Sequence, residues 1–153
     1  MANKFCYLRG DTRAIKLPKY ASDAIEIGDL LYWDATNNAV RPASYISGAN
    51  YAAKATAFAA AFIGVAAEAK AAGVTGNITV YTAGDFQFDA PSGGGTDYDP
   101  TSLLAIGDGT DVLDQTVIKT ATTADAIARV IALKTTSAAY VEMRLLSRTA
   151  ILY

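Results

Sequence analysis

The sequence predicts a mainly β protein: a small β-barrel or sandwich with one short Ala-rich helix and an extended N-terminal arm. Three observations carry this. About seven to nine short apolar runs are separated by turn-forming residues, as in folds built from many short strands. Residues 49–61 contain no Gly or Pro and are rich in Ala, the best helix former. Residues 1–23 show no sustained hydrophobic period, and Pro18 breaks any helix there.

The organisation follows as an arm over residues 1–24 and a barrel or sandwich domain over 25–153. In the arm, apolar residues (Phe5, Tyr7, Leu8, Ile15, Leu17, Tyr20) are scattered among bases. Such a segment buries no face of its own, so it is either a disordered tail or an arm lying on something else. Fully extended it reaches at most ~80 Å, far beyond the ~15 Å radius of the domain. In the domain, Ile25 and Ile27 alternate with Glu26, which predicts a half-buried strand. Gly28-Asp29 marks a turn, and Leu30 to Trp33 forms the next strand. Asn37-Asn38 then joins it to Ala39-Val40-Arg41 as a hairpin. A helix is expected from about Ala52 to Ala61, packing Ala55, Phe58 and Phe62 on the body. Phe62–Ala67 reads as a strand leading to turns at Ala72-Gly73 and Gly76-Asn77. The cleanest alternation places Ile78, Val80, Phe86 and Phe88 on one strand, with Gly84 as a bulge or bend. Residues 91–100 are a Gly/Asp-rich loop. A strand, a turn at Gly107-Asp108-Gly109 and a second strand follow. Two closing strands, Ile127–Leu133 and Tyr140–Leu146, are joined by a polar turn at Lys134–Ser137.

Of the 153 residues, 52% are apolar, but 31 of them are Ala. The core is therefore thin or completed by other chains. The chain has no His and one Cys, which removes the commonest general base, a Cys–His couple and a Cys-rich zinc site. No apolar run approaches the ~20 residues that span a bilayer, and the first residues lack a signal-like apolar stretch. The net charge of −2 hides a pattern. Residues 1–24 carry +3, residues 25–128 carry −8 and residues 129–153 carry +3. An acidic body with basic ends suits docking of the ends on an acidic surface, and a pI of about 5.0 disfavours nucleic acid.

Individual motifs add little chemistry. Arg9-Gly10-Asp11 spells an adhesion tripeptide, but three residues match readily by chance. Asp108, Asp111 and Asp114 recur every third residue without the ligand pattern of a calcium loop, and a solvated hairpin explains them; Asp97 and Asp99 are read alike. The 92–99 stretch lacks the Gly-Lys-Ser/Thr of a phosphate-binding loop. Glu26/Asp29 and Asp85/Asp89 are conceivable acid pairs for glycoside hydrolysis. Cys6 lies near Lys4 and Arg9 but has no base. Tyr32 and Trp33 anchor the first hairpin.

The order of the pieces resembles the capsid decoration, or cement, proteins of tailed bacteriophages. The residues that carry this are IEIGDLLYWD and AVRPA within 25–43, AFAAAFIGVAAEAKAAG and ITVYTAGDFQFD within 57–89, and AIARVIAL with YVEMRLL within 126–146. Phe62-Ile63-Gly64-Val65-Ala66 and Thr82-Ala83-Gly84 match best. The resemblance implies a non-enzymatic structural protein, made in the host cytoplasm and bound to the exterior of an icosahedral head. It would bridge major capsid protein subunits and self-associate as a homotrimer or dimer. No cofactor, metal, nucleic acid, membrane or small-molecule substrate is expected. The capsid-contact arm would use Lys4, Arg9, Arg13, Lys16 and Lys19 for steering and Phe5, Tyr7, Leu8 and Leu17 for burial. Two rival functions are a host-binding module on a virion surface, acting through the Gly/Asp loops, and a small hydrolase with paired carboxylates in a pocket.

Overall fold

The structure, a computed structural model, describes residues 5–90, 97–134 and 139–146. The chain runs β1 (Cys6–Pro18), β2 (Leu30–Asp34), β3 (Ala39–Pro42), α1 (Tyr51–Ala61), β4 (Phe62–Ala66), β5 (Asn77–Asp89), β6 (Leu103–Ile106), β7 (Val117–Thr120), β8 (Ala128–Val130) and β9 (Tyr140–Leu145). The fold is mainly β, with one curled half-barrel sheet and one α-helix among the described residues, as the sequence predicted.

The sheet order is β3-β2-β4-β5-β9-β8-β6-β7, and β1 lies on β5 off this path. β5 is the hub. β1 pairs along one of its edges, while β4 and then β9 share the other. Beyond β1, Lys19 bridges Val40 of β3, which curls the β3-β2-β4-β5-β1 strands around a small core. That core holds Ile25, Leu31, Val40, Ala66, Ile78 and Val80, with Ile15 and Leu17 of β1 packed against it. A larger core lies under α1 and takes Leu30, Tyr32, Phe58, Phe62, Phe86, Phe88 and the buried residues of β6, β8 and β9. Leu30 and Leu31 thus point to different cores, which is why β2 reads as a continuous apolar run instead of an alternating one.

Two glycines make this geometry possible. A Cβ on Gly64 would lie 2.0 Å from the Tyr81 carbonyl oxygen, so only Gly allows β4 to approach β5 this closely. Gly84 sits at φ 131, and opposite it the pairing of β1 shifts register between Arg9 and Ala14. The irregularity expected there is present, and one edge of β5 pairs with β4 before it and with β9 after it.

Several local expectations are met. α1 starts at Asn50, whose side chain accepts the Ala53 N–H (3.0 Å), and buries Ala55 and Phe58. Asn38 takes positive φ in the β2–β3 hairpin. The strand expected around Ile25–Ile27 does not form. Ile25 is buried through a single bridge to Lys70, whereas Ile27 is half exposed. The Asp29 carboxylate accepts the Glu26 N–H (2.7 Å) and turns the chain there. The run Ile127–Leu133 contributes only Ala128–Val130 as a strand. Part of the Gly/Asp-rich loop (91–96) and of the polar turn (135–137) lies outside the described residues. The N-terminal segment has a partner within its own chain, β5, which its scattered apolar residues did not disclose.

Candidate functional site

β1 is long and mostly exposed, with its outer edge open among the described residues over most of its length. Of the side chains singled out in the arm, Lys4 lies outside the described residues. Phe5 turns inward, stacking on Phe86 (5.6 Å between centroids) and meeting Phe88 edge-on. Tyr7 is 45% exposed and lies edge-on to Phe86. Leu8 is half-buried. Leu17 is half-buried against the smaller core. Arg13 and Lys16 are exposed, opposite Ala83 and Thr79 of β5. Lys19 does not face outward. It is buried, and its Nζ donates to the carbonyls of Tyr20, Ala21 and Val74. Burial lowers its pKa. It holds the chain together and is unsuited to steering.

Arg9 belongs to a larger constellation. It stands opposite Asp85 on β5, Asp85 stands opposite Arg144 on β9, and Arg144 stands opposite Arg129 on β8. Directly opposed residues share a face. Arg144 forms a bidentate pair with Asp85, Nε to Oδ1 at 2.7 Å and Nη2 to Oδ2 at 2.9 Å. Arg9 Nε lies 3.7 Å from Asp85 Oδ2. Asp85 itself is buried under these guanidinia, which hold its carboxyl below the usual range, Arg144 most strongly. Arg129 is exposed and has no ion pair among the described residues. Glu142, two residues from Arg144, is engaged by Lys134 (3.0 Å). The two basic ends of the chain therefore meet on one sheet face. Sequence reasoning missed Arg129 and Arg144; the +3 charge of residues 129–153 was the available signal.

The acids behave differently. An open cleft of about 480 Å³ is lined by Ala24, Glu26, Asp29, Asp89, Asp114, Gln115 and Thr116. Asp29 accepts the Glu26 N–H and the Gln115 amide (2.7 Å each). Asp114 accepts the Ser44 N–H (2.6 Å) and hydroxyl (2.9 Å). Burial pushes Asp29 up to about 6 and raises Asp114 as well. Both carboxylates staple loops; the lining carries four acidic residues and no Lys or Arg, and Asp89 Oδ1 is buried with no hydrogen-bond partner among the described residues. Asp85, one member of the acid pairs considered, is not part of it. Asp108 accepts the N–H groups of Thr110 and Asp111, while Asp111 accepts that of Val112. Of the acids that recur after Gly107, Asp108 and Asp111 thus serve turn geometry, while Asp114 reaches the distant Ser44. Among the described residues no group of three or more Asp, Glu or Cys is placed to hold a metal ion. Cys6 is exposed, and its Sγ donates to the Tyr7 carbonyl.

The curled sheet thus engages Asp29, Asp85 and Asp114 internally and displays guanidinia on one face. Residues 9–83 match the model of a family described as phage cement protein. The match starts at Arg9 in β1 and ends at Ala83 in β5, and it bears out the resemblance drawn from the sequence. It supports a structural capsid cement role, association with a phage capsid and a location in the virion. No curated protein matches the chain.

Proposed function

We propose that this protein cements an icosahedral phage head from the outside, docking on the major capsid protein and bridging neighbouring subunits after the shell has assembled. The observation that carries this is the cement-family match, which includes most of β1 and the whole β2–β4 region. Residues 1–24 act as the arm and residues 25–153 as the body. Arg9, Arg13 and Lys16 steer the arm to acidic capsid loops, Lys4 adds to their charge, and Tyr7 and Leu8 add apolar contact. Phe5 and Leu17 support the arm from its inner side. Self-association as a homotrimer would let one decoration unit touch several capsid subunits.

A ligand that binds the assembled shell in preference to its separated subunits stabilises the shell by mass action, and many copies multiply the effect. Purified protein added to undecorated, expanded heads of the parent phage should co-sediment with them and raise their disruption temperature. Light scattering of the free protein should give the mass of three chains. Heads that neither bind the protein nor gain thermal resistance would refute the cementing role.

A further inference from the structure

We infer that the cross-strand row Arg9–Asp85–Arg144–Arg129 is a carboxylate-recognising seat, and that its occupant is an acidic, extended segment of the capsid partner. The inference deepens the capsid docking proposed above and rests on it.

The row joins four adjacent strands, β1, β5, β9 and β8, through register pairs that are far apart in sequence. Three strand spacings of about 4.8 Å make it about 14 Å long. An extended segment covers that length in about four residues. The row carries three guanidinia and one carboxylate. Asp85 fixes Arg144 bidentately and draws Arg9 towards the same carboxylate, so one of the three is held in position and a second is gathered beside it before any partner arrives. Their side chains are nonetheless 64% and 70% exposed, leaving N–H groups for an incoming acceptor.

Arg129 faces Arg144 across the β8–β9 ladder, a like-charge opposition that costs stability in an isolated sheet. Asp85 pairs with Arg144, but no acid among the described residues pairs with Arg129. Glu142 is engaged by Lys134, and Asp85 is already shared by Arg144 and Arg9. An incoming carboxylate would remove that opposition, and the planar fork of arginine suits a carboxylate better than a lysine point charge. Protein is favoured over nucleic acid as the occupant. Asp85 and Glu142 lie within the same patch, and the chain's net charge of −2 opposes a long polyphosphate.

The test titrates wild type, R129A, R129E and R129K against poly-L-glutamate at low salt, with inorganic polyphosphate and duplex DNA as competitors. The same four proteins are then titrated against undecorated heads. Wild type and R129K should bind poly-L-glutamate in preference to either phosphate polymer. R129A should bind about fivefold more weakly and R129E more than tenfold more weakly, while both melt no lower than wild type, because the exposed side chain opposes Arg144 and its loss relieves that opposition. Heads should rank the variants in the same order, and added salt should compress the differences. Equal binding by wild type, R129A and R129E, or preference for a phosphate polymer, overturns the seat. Heads that bind none of the four, while poly-L-glutamate ranks them as stated, support the seat and overturn the capsid as its partner.

Discussion

The basic face and the acidic cleft are both clusters of like charge, yet they handle it in opposite ways. In the cleft, Asp29 is buried and Asp114 half-buried, and each accepts two hydrogen bonds from the chain. On the face, Arg129 is exposed and has no ion pair among the described residues, although Arg144 stands directly opposite. Charge that is hydrogen-bonded inside the chain holds loops together. Charge left uncompensated against a like neighbour is available to a partner. A count of acids and bases sees no such distinction, and in this chain it would rank the acidic middle first.

The sharpest way to break this comparison is pH. Asp29 titrates at about 6 in the fold, against an ordinary carboxylate value of 3.8, and Asp114 is shifted in the same direction. A raised carboxylate pKa contributes stability that is fully present below the unfolded value and lost as pH rises through the folded one. Stability should therefore fall between about pH 4 and pH 7, by up to about 3 kcal/mol from Asp29. Asp85, held low by Arg144, acts in the opposite sense, and its contribution is lost as pH falls below the ordinary carboxylate range. Urea denaturation across this range should show the slope, and Asp29→Asn should flatten it. An unchanged slope in that variant would show that Asp29 is not the group responsible.

Asp114→Ala is the next largest effect. It leaves the Ser44 N–H without its acceptor and loosens the loop that supports β2, for about 2 kcal/mol. Denaturant midpoints should record that loss while head binding at a temperature where the variant stays folded is unchanged. A loss of binding with intact stability would place the cleft, and not the row, at the interface.

Asp85→Ala is smaller in stability and larger in consequence for the face. Its guanidinia are exposed enough to rehydrate, so the cost should be about 1 kcal/mol. Arg144 loses its fixed position and Arg9 its neighbouring carboxylate, so binding to poly-L-glutamate should become less selective over phosphate polymers. Thermal melts and competition titrations separate these two effects.

Much of the fold is legible in the sequence because local rules act alone there. The Asn37-Asn38 hairpin, the Ala-rich helix and the irregularity at Gly84 each depend on residues within a few positions. Where a long-range contact decides, the reading goes astray. The Ile25–Ile27 alternation looks like a strand, but Asp29 and Gln115 pull that segment into a turn. Lys19 looks like one more arm cation, and three backbone carbonyls that converge on its Nζ bury it. The arginine row was hidden most deeply. Its members stand at positions 9, 85, 144 and 129, and only strand register brings them side by side. What the sequence did carry was the summed charge of the two ends.

The most direct measurement is a cryo-EM map of decorated heads at a resolution that traces β8 and β9. The basic face should lie against acidic density of the major capsid protein, with Arg129 within ion-pair distance of a capsid carboxylate and the cleft around Asp29 directed to solvent. A map in which that cleft faces the shell and Arg129 points away from it would contradict the account.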